Sequence, residues 1–165
     1  VEARSRSRTW PYTCGLKDTE AGPYLVRRAR VSPEEVEDFV QRVEEELGSA
    51  AGSQVGAPVA VIEGPAPEPA DDAATPGTVG VEVRVPVTRG TAPPEGFETI
   101  EVESVPVAYT VHHGAAGGLP GAEAVLAGWI RLKALRAAAE VRRVYIKRGK
   151  NPRKHVTEVQ VPLAR

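Results

Sequence analysis

Apolar and polar positions alternate most cleanly over residues 79–87, where Val79, Val81, Val83, Val85 and Val87 are separated by Gly80, Glu82, Arg84 and Pro86. The same rhythm returns over 157–163, with Thr157, Val159, Val161 and Leu163 set against Glu158, Gln160 and Pro162. A period of two predicts strands with one buried and one wet face. A different period follows Ser32-Pro33-Glu34-Glu35. Ser32 suits a helix cap, Pro33 its first turn, and Glu35 completes a capping box. Val36, Phe39, Val40, Val43 and Leu47 then form one apolar stripe opposite Glu37, Asp38, Glu44, Glu45 and Glu46. Gly48 is a natural stop. A second helix is predicted from near residue 120 to about 138, with Val125, Leu126, Trp129, Ile130 and Leu132 on a broader apolar face.

The two alternating strands share a motif, E-V-x-V-P-aliphatic, at 82–87 and 158–163. The rest of the chain falls into the same register. Residues 10–18 and 97–104 read as first strands, 23–29 and 106–112 as second strands, and 58–63 and 141–147 as the strands after each helix. The order is β-β-α-β-β, twice. This predicts an α+β fold of two pseudo-symmetric halves, 10–90 and 96–165, with an antiparallel sheet, both helices on one face and a ligand groove on the other. Pseudo-symmetry would bring Glu82 and Glu158 towards that groove from opposite sides, and pockets favour such junctions.

Composition narrows the reading. The 165 residues suit one domain, and 41% hydrophobic with 26% charged residues is an ordinary globular balance. A net charge of −1 gives no reason to expect a nucleic-acid or anionic-membrane partner. No apolar run approaches the roughly 20 residues of a membrane span, and VEARSRSRTW lacks a secretory pattern. The single Cys14 cannot form an internal disulfide, so a reducing, cytoplasmic location is expected. Residues 1–9, with Arg4, Arg6 and Arg8, are expected to be a flexible basic tail, and the Pro-Ala-Asp-rich stretch 64–78 a mobile loop.

Val107-Ala108-Tyr109-Thr110-Val111-His112-His113-Gly114, a Gly-rich turn, Leu126-Ala127-Gly128-Trp129-Ile130, Arg143-Val144-Tyr145-Ile146 and Thr157-Glu158-Val159-Gln160-Val161-Pro162-Leu163 follow in order. Together they resemble the GyrI-like small-molecule-binding domain family, which also supplies the effector-binding domains of AraC-type and MerR-type multidrug regulators. Tyr24-Leu25-Val26-Arg27-Arg28 and Val81-Glu82-Val83-Arg84-Val85-Pro86-Val87 carry the likeness in the first half. The resemblance covers roughly residues 10–165. It implies a groove that takes bulky, flat, often cationic hydrophobic molecules, with Glu158 as its last-strand glutamate, Tyr145 on the preceding strand and Trp129 on the second helix. It also implies that a DNA-binding domain could precede Val1 in a longer native chain. Some stand-alone relatives hydrolyse reactive cyclopropane-bearing toxins in the same groove, and others act on a topoisomerase.

The candidate ligand-binding residues are therefore Glu158, Tyr145, Trp129, Tyr109, Glu82 and Tyr24. Carboxylates there can pair with a ligand cation, and tyrosine or tryptophan can stack on a flat one. Core or sheet packing is the alternative for each aromatic, and a solvated strand face for each glutamate. Arg142, Arg143, Lys147, Arg148, Lys150, Arg153 and Lys154 crowd the region before the last strand. They weaken the pull of Glu158 on a cation and make a neutral or anionic ligand more plausible. His112 and His113, adjacent on a strand, should point to opposite faces and not share an ion, so no metal site is expected. No cofactor motif is present: 114–121 lacks the Lys-Ser/Thr of a phosphate loop. The expected function is binding of a hydrophobic or aromatic molecule for sensing or sequestration. The alternatives are a hydrolase using Glu158 and a protein-interaction module contacting its partner through 142–154.

Overall fold

The structure is a computed structural model that describes residues 12–65 and 77–164. The basic tail, Trp10 and most of the 64–78 stretch lie outside the described residues. The described chain runs β1 (Cys14–Asp18), β2 (Gly22–Val31), α1 (Val36–Glu46), β3 (Val59–Pro65), β4 (Val79–Pro86), β5 (Glu98–Val102), β6 (Pro106–His113), α2 (Leu119–Leu132), β7 (Arg142–Lys147) and β8 (Val156–Pro162). The strands form one 8-stranded sheet in the order β1-β6-β8-β7-β3-β4-β2-β5, with every neighbouring pair antiparallel. The order is symmetric about the β7–β3 junction, so β3, β4, β2 and β5 correspond to β7, β8, β6 and β1. The outermost strands are exchanged: β1 is first in the chain yet pairs with β6, and β5 pairs with β2.

Alternation sets the faces. Val79, Val81, Val83 and Val85 of β4 stand level with Val31, Ala29, Arg27 and Leu25 of β2, and α1 lays Val36, Phe39, Val40 and Val43 over that half. In the other half α2 lays Leu119, Ala122, Leu126 and Ile130 over Ala108 and Val159. Both helices therefore cover one face, and each half has its own apolar cluster. The α1 entry follows the cap signal, with Glu35 accepting from the Ser32 backbone N–H at 3.2 Å and from its hydroxyl at 2.6 Å. A single 3-10 turn, Pro33–Glu35, precedes α1. The glycine-rich turn before α2 has a steric reason at Gly118, where a Cβ would sit 2.5 Å from the His112 ring.

The second helix is shorter than its sequence suggests. It stops at Leu132, and Ala134 takes a left-handed φ of 58°. The chain then turns so that Ala137 can bridge Leu163 beyond β8. That tertiary contact overrides the good helix formers from Leu135 to Ala139.

Candidate functional site

The open face is organised about the seam. Across β3 and β4, Val59 pairs with Arg84 and Val61 with Glu82. Across β7 and β8, Arg142 pairs with Gln160 and Val144 with Glu158. Across the seam, Val59 pairs with Val144, Ala60 with Arg143, and Val61 with Arg142. A pseudo-twofold axis thus passes beside Ala60 and Arg143. It relates Glu82 to Glu158, Arg84 to Gln160, Val61 to Val144, and Val59 to Arg142.

A cavity of about 450 Å³ lies on this face and takes lining from both halves. Val59, Arg84, Arg142, Val144 and Gln160 line it from the central strands, and Tyr24 from β2. The segment from Lys17 to Pro23 and the loop Val55–Gly56–Ala57 supply the rest of the wall, with Pro86, Val87 and Val102. Its charges are mostly spent. Arg84 and Arg28 both donate to the Glu82 carboxylate. Burial pushes that carboxyl up, but the two guanidiniums win and hold it below the usual carboxylate value. Lys17 lies 2.8 Å from both Glu158 oxygens and 4.6 Å from the Tyr109 ring centre, while the Gln160 amide donates to Glu158. Burial, then the nearby Glu20, push the Tyr24 phenol up, so it stays a neutral donor.

Arg142 differs. Its guanidinium donates to no group among the described residues, and its Nε is buried without a partner. Burial, then the charge of Arg84, push its pKa down against the opposing pull of Glu82, Tyr24 and Glu140; a guanidinium stays charged regardless.

No protein-family model and no curated protein matches the sequence. Comparison in three dimensions does find matches. EcmrR, in a complex with DNA, superposes with a TM-score of 0.80 at 14% identity, covering 99% of this chain and 62% of EcmrR. Its isolated C-terminal domain gives 0.77 at 15%, covering 94% of this chain and 99% of that one. The fold is GyrI-like. SAV2435 bound to tetraphenylphosphonium shares the GyrI-like fold at TM-score 0.65 and 13% identity, covering 92% of this chain and 94% of that one. A hydrolase from Listeria innocua shares it at 0.61 and 10%, covering 98% and 97%. At these identities the likeness is one of fold. This chain spans less than two thirds of the DNA-bound EcmrR chain.

The GyrI-like sheet brings four of the sequence candidates to the open face: Tyr24, Glu82, Tyr109 and Glu158. Of these, only Tyr24 lines the cavity itself. Tyr145 and Trp129 lie away from it. Tyr145 pairs with Thr157 on the helix-covered face, is 4% exposed, and donates its hydroxyl to Glu37 of α1 at 2.6 Å. Trp129 packs on α2 against the second cluster, with Lys133 5.9 Å from its ring. A sheet lies between both residues and the cavity. His112 is buried, bonded to the Tyr12 hydroxyl at 2.8 Å and the Ala115 carbonyl at 2.9 Å, while His113 is exposed. Among the described residues no group of three or more His, Cys, Asp or Glu is placed to hold a metal, and no helix is long and apolar enough to cross a membrane.

Sequence reasoning passed over Arg84, Gln160, Lys17 and the individual role of Arg142. The signal was present, because Arg84 and Gln160 occupy the x of the repeated E-V-x-V-P and share its wet face. The basic cluster also resolves differently from its linear appearance. Of its seven members only Arg142 lines the cavity. Arg143 turns to the helix side, reaching Glu37 at 3.0 Å and Glu123 at 3.1 Å, and Arg148 lies over the Tyr145 ring and beside Glu44.

Proposed function

We propose that this chain is a ligand-binding domain that takes a bulky hydrophobic or aromatic small molecule into the open-face cavity, for sensing or sequestration. The observation that carries this reading is the cavity across the seam, built by both halves and lined by valines, prolines and Tyr24 alongside five charged side chains. Its volume falls in the range of small-molecule sites, and its wall sets apolar side chains beside charged and polar ones that can orient a ligand. The small-molecule complex of SAV2435 on the same fold supports it. In a chain that also carries a DNA-binding segment, occupancy of this cavity would be the signal passed on. Turnover is not part of this reading, because Lys17 and Gln160 engage the Glu158 carboxylate.

A panel of aromatic dyes tests the site, read by dye emission or calorimetry; quenching of Trp129 is a poor readout because that ring lies behind the sheet. Tyr24→Ala and Ala57→Trp are expected to weaken binding by roughly tenfold or more, since they remove a stacking wall and fill the cavity. Trp129→Phe and Tyr145→Phe are expected to leave it unchanged. The reverse pattern moves the site to the helix side. Consumption of excess substrate by catalytic amounts of protein, lost in Glu158→Gln, would instead favour the hydrolase.

A further inference from the structure

Among the described residues, the cations lining the cavity are each in contact with a carboxylate, with one exception. Lys17 is held by Glu158, and Arg84 and Arg28 by Glu82. Asp18 and Glu20 also line the cavity wall, but both are exposed. Arg142 alone among the cations lining the cavity has no carboxylate in contact with it among the described residues. The pseudo-twofold sharpens the point. The position related to Arg142 is Val59, so a long cation stands where the other half places a short apolar side chain. Around the axis the open face presents Val59, Val61, Val144 and Arg142. The neighbouring Arg143 on the same strand points the other way and meets both Glu37 and Glu123. The two helices thus supply two carboxylates to one guanidinium of this strand, and none is in contact with the other.

A guanidinium half-buried among valines without an acceptor is costly, and an acid group from outside offsets that cost with two parallel N–H···O bonds. We propose that the cavity selects an aromatic anion, with a carboxylate, sulfonate or phosphate group held by Arg142 and its flat apolar frame lying on Val59, Val144 and Tyr24. This rests on the cavity being a ligand site and names the class of ligand. The Tyr24 hydroxyl, kept protonated, is a second donor on the same wall. Glu158 then serves to hold Lys17 and Gln160 in place rather than to attract a cation.

The test compares anilinonaphthalene sulfonate with phenylnaphthylamine, which has the same rings without the acid, and with tetraphenylphosphonium as the cation. The sulfonate is expected to bind the wild-type chain roughly tenfold or more tighter than phenylnaphthylamine, as a charge-assisted hydrogen bond implies. Arg142→Met should erase that difference by weakening the sulfonate while leaving phenylnaphthylamine unchanged, and Arg142→Lys should restore part of it. All binding should be blocked by Ala57→Trp. If phenylnaphthylamine binds in an Ala57→Trp-sensitive way but the sulfonate binds no tighter, or tetraphenylphosphonium binds best, the anion assignment is wrong and the ligand site stands. If no probe binds in a way that Ala57→Trp blocks, the site and the assignment fall together.

Discussion

Arg142 and Arg143 are neighbours in sequence on one strand, yet they inhabit two chemically opposite faces. On the helix side, Arg143 ties β7 to both helices through Glu37 and Glu123, and Tyr145 adds a hydrogen bond to the same Glu37. On the open side, Arg142 looks into a cavity with no carboxylate in contact with it among the described residues, and Glu82 and Glu140 act on it only from a distance. On the helix-covered face the apolar atoms are packed in two clusters, and Arg143 and Arg148 each lie against carboxylates of the helices. The open face is unfinished at the seam. Stability should therefore reside on one side of the sheet and recognition on the other.

The largest expected difference is in packing. Leu126→Ala, at a fully buried position on α2, should cost about 2–5 kcal/mol in urea unfolding. Val144→Ala, on the cavity floor, should cost less than about 1 kcal/mol, since part of its surface is already open. Equal losses would erase the division between faces. Next comes the arginine pair. Arg143→Ala should cost about 1–3 kcal/mol because it leaves Glu37 and Glu123 without their shared cation. Arg142→Met should be neutral or raise the melting temperature in the absence of ligand, and a loss as large as that of Arg143→Ala would mean that Arg142 is structural. Smaller still, Tyr145→Phe should cost about 1 kcal/mol by removing one hydrogen bond to Glu37 while Arg143 still holds it, whereas Tyr109→Phe should change stability little.

The smallest effect is the pH dependence of the open face. The folded-state pKa of Glu82 is depressed by Arg84 and Arg28 against the upward push of burial. Its stabilising contribution is present above the ordinary carboxylate value near 4.5 and is lost as pH falls through the depressed folded value. Urea titrations below pH ~5 should therefore show a shallower acid loss in Glu82→Gln than in the wild-type chain. An unchanged slope would mean that the Arg28–Glu82–Arg84 contacts are solvated in solution.

Much of this division was legible from the residues. The valines of β4 announce their face, and the repeated E-V-x-V-P places β4 and β8 in equivalent positions. The Ser32–Glu35 cap starts α1 where the pattern says. β7 was the ambiguous strand. Its sequence RRVYIK puts a cation and an apolar residue on each face, so alternation alone cannot assign Tyr145; pairing with Thr157 does. The resemblance points Trp129 toward a groove, whereas the broad apolar face of α2 turns it onto the helix-covered side of the sheet. Residues 135–139 read as helix because their propensity is good and no glycine warns of the left-handed turn at Ala134. Strand exchange was out of reach, because alternation says which side of a strand is dry and nothing about which strand it lies beside.

That exchange has a mechanical meaning. Each half of the duplication lends its opening strand to the far rim of the other, so neither forms a four-stranded sheet from its own stretch of chain. The sheet is built like a clasp fastened at both ends: a rotation of one half about the axis beside Ala60 and Arg143 would pull on the outermost strand of the other. A molecule bound at the proposed site would thus sit where a small twist reaches both margins of the sheet at once.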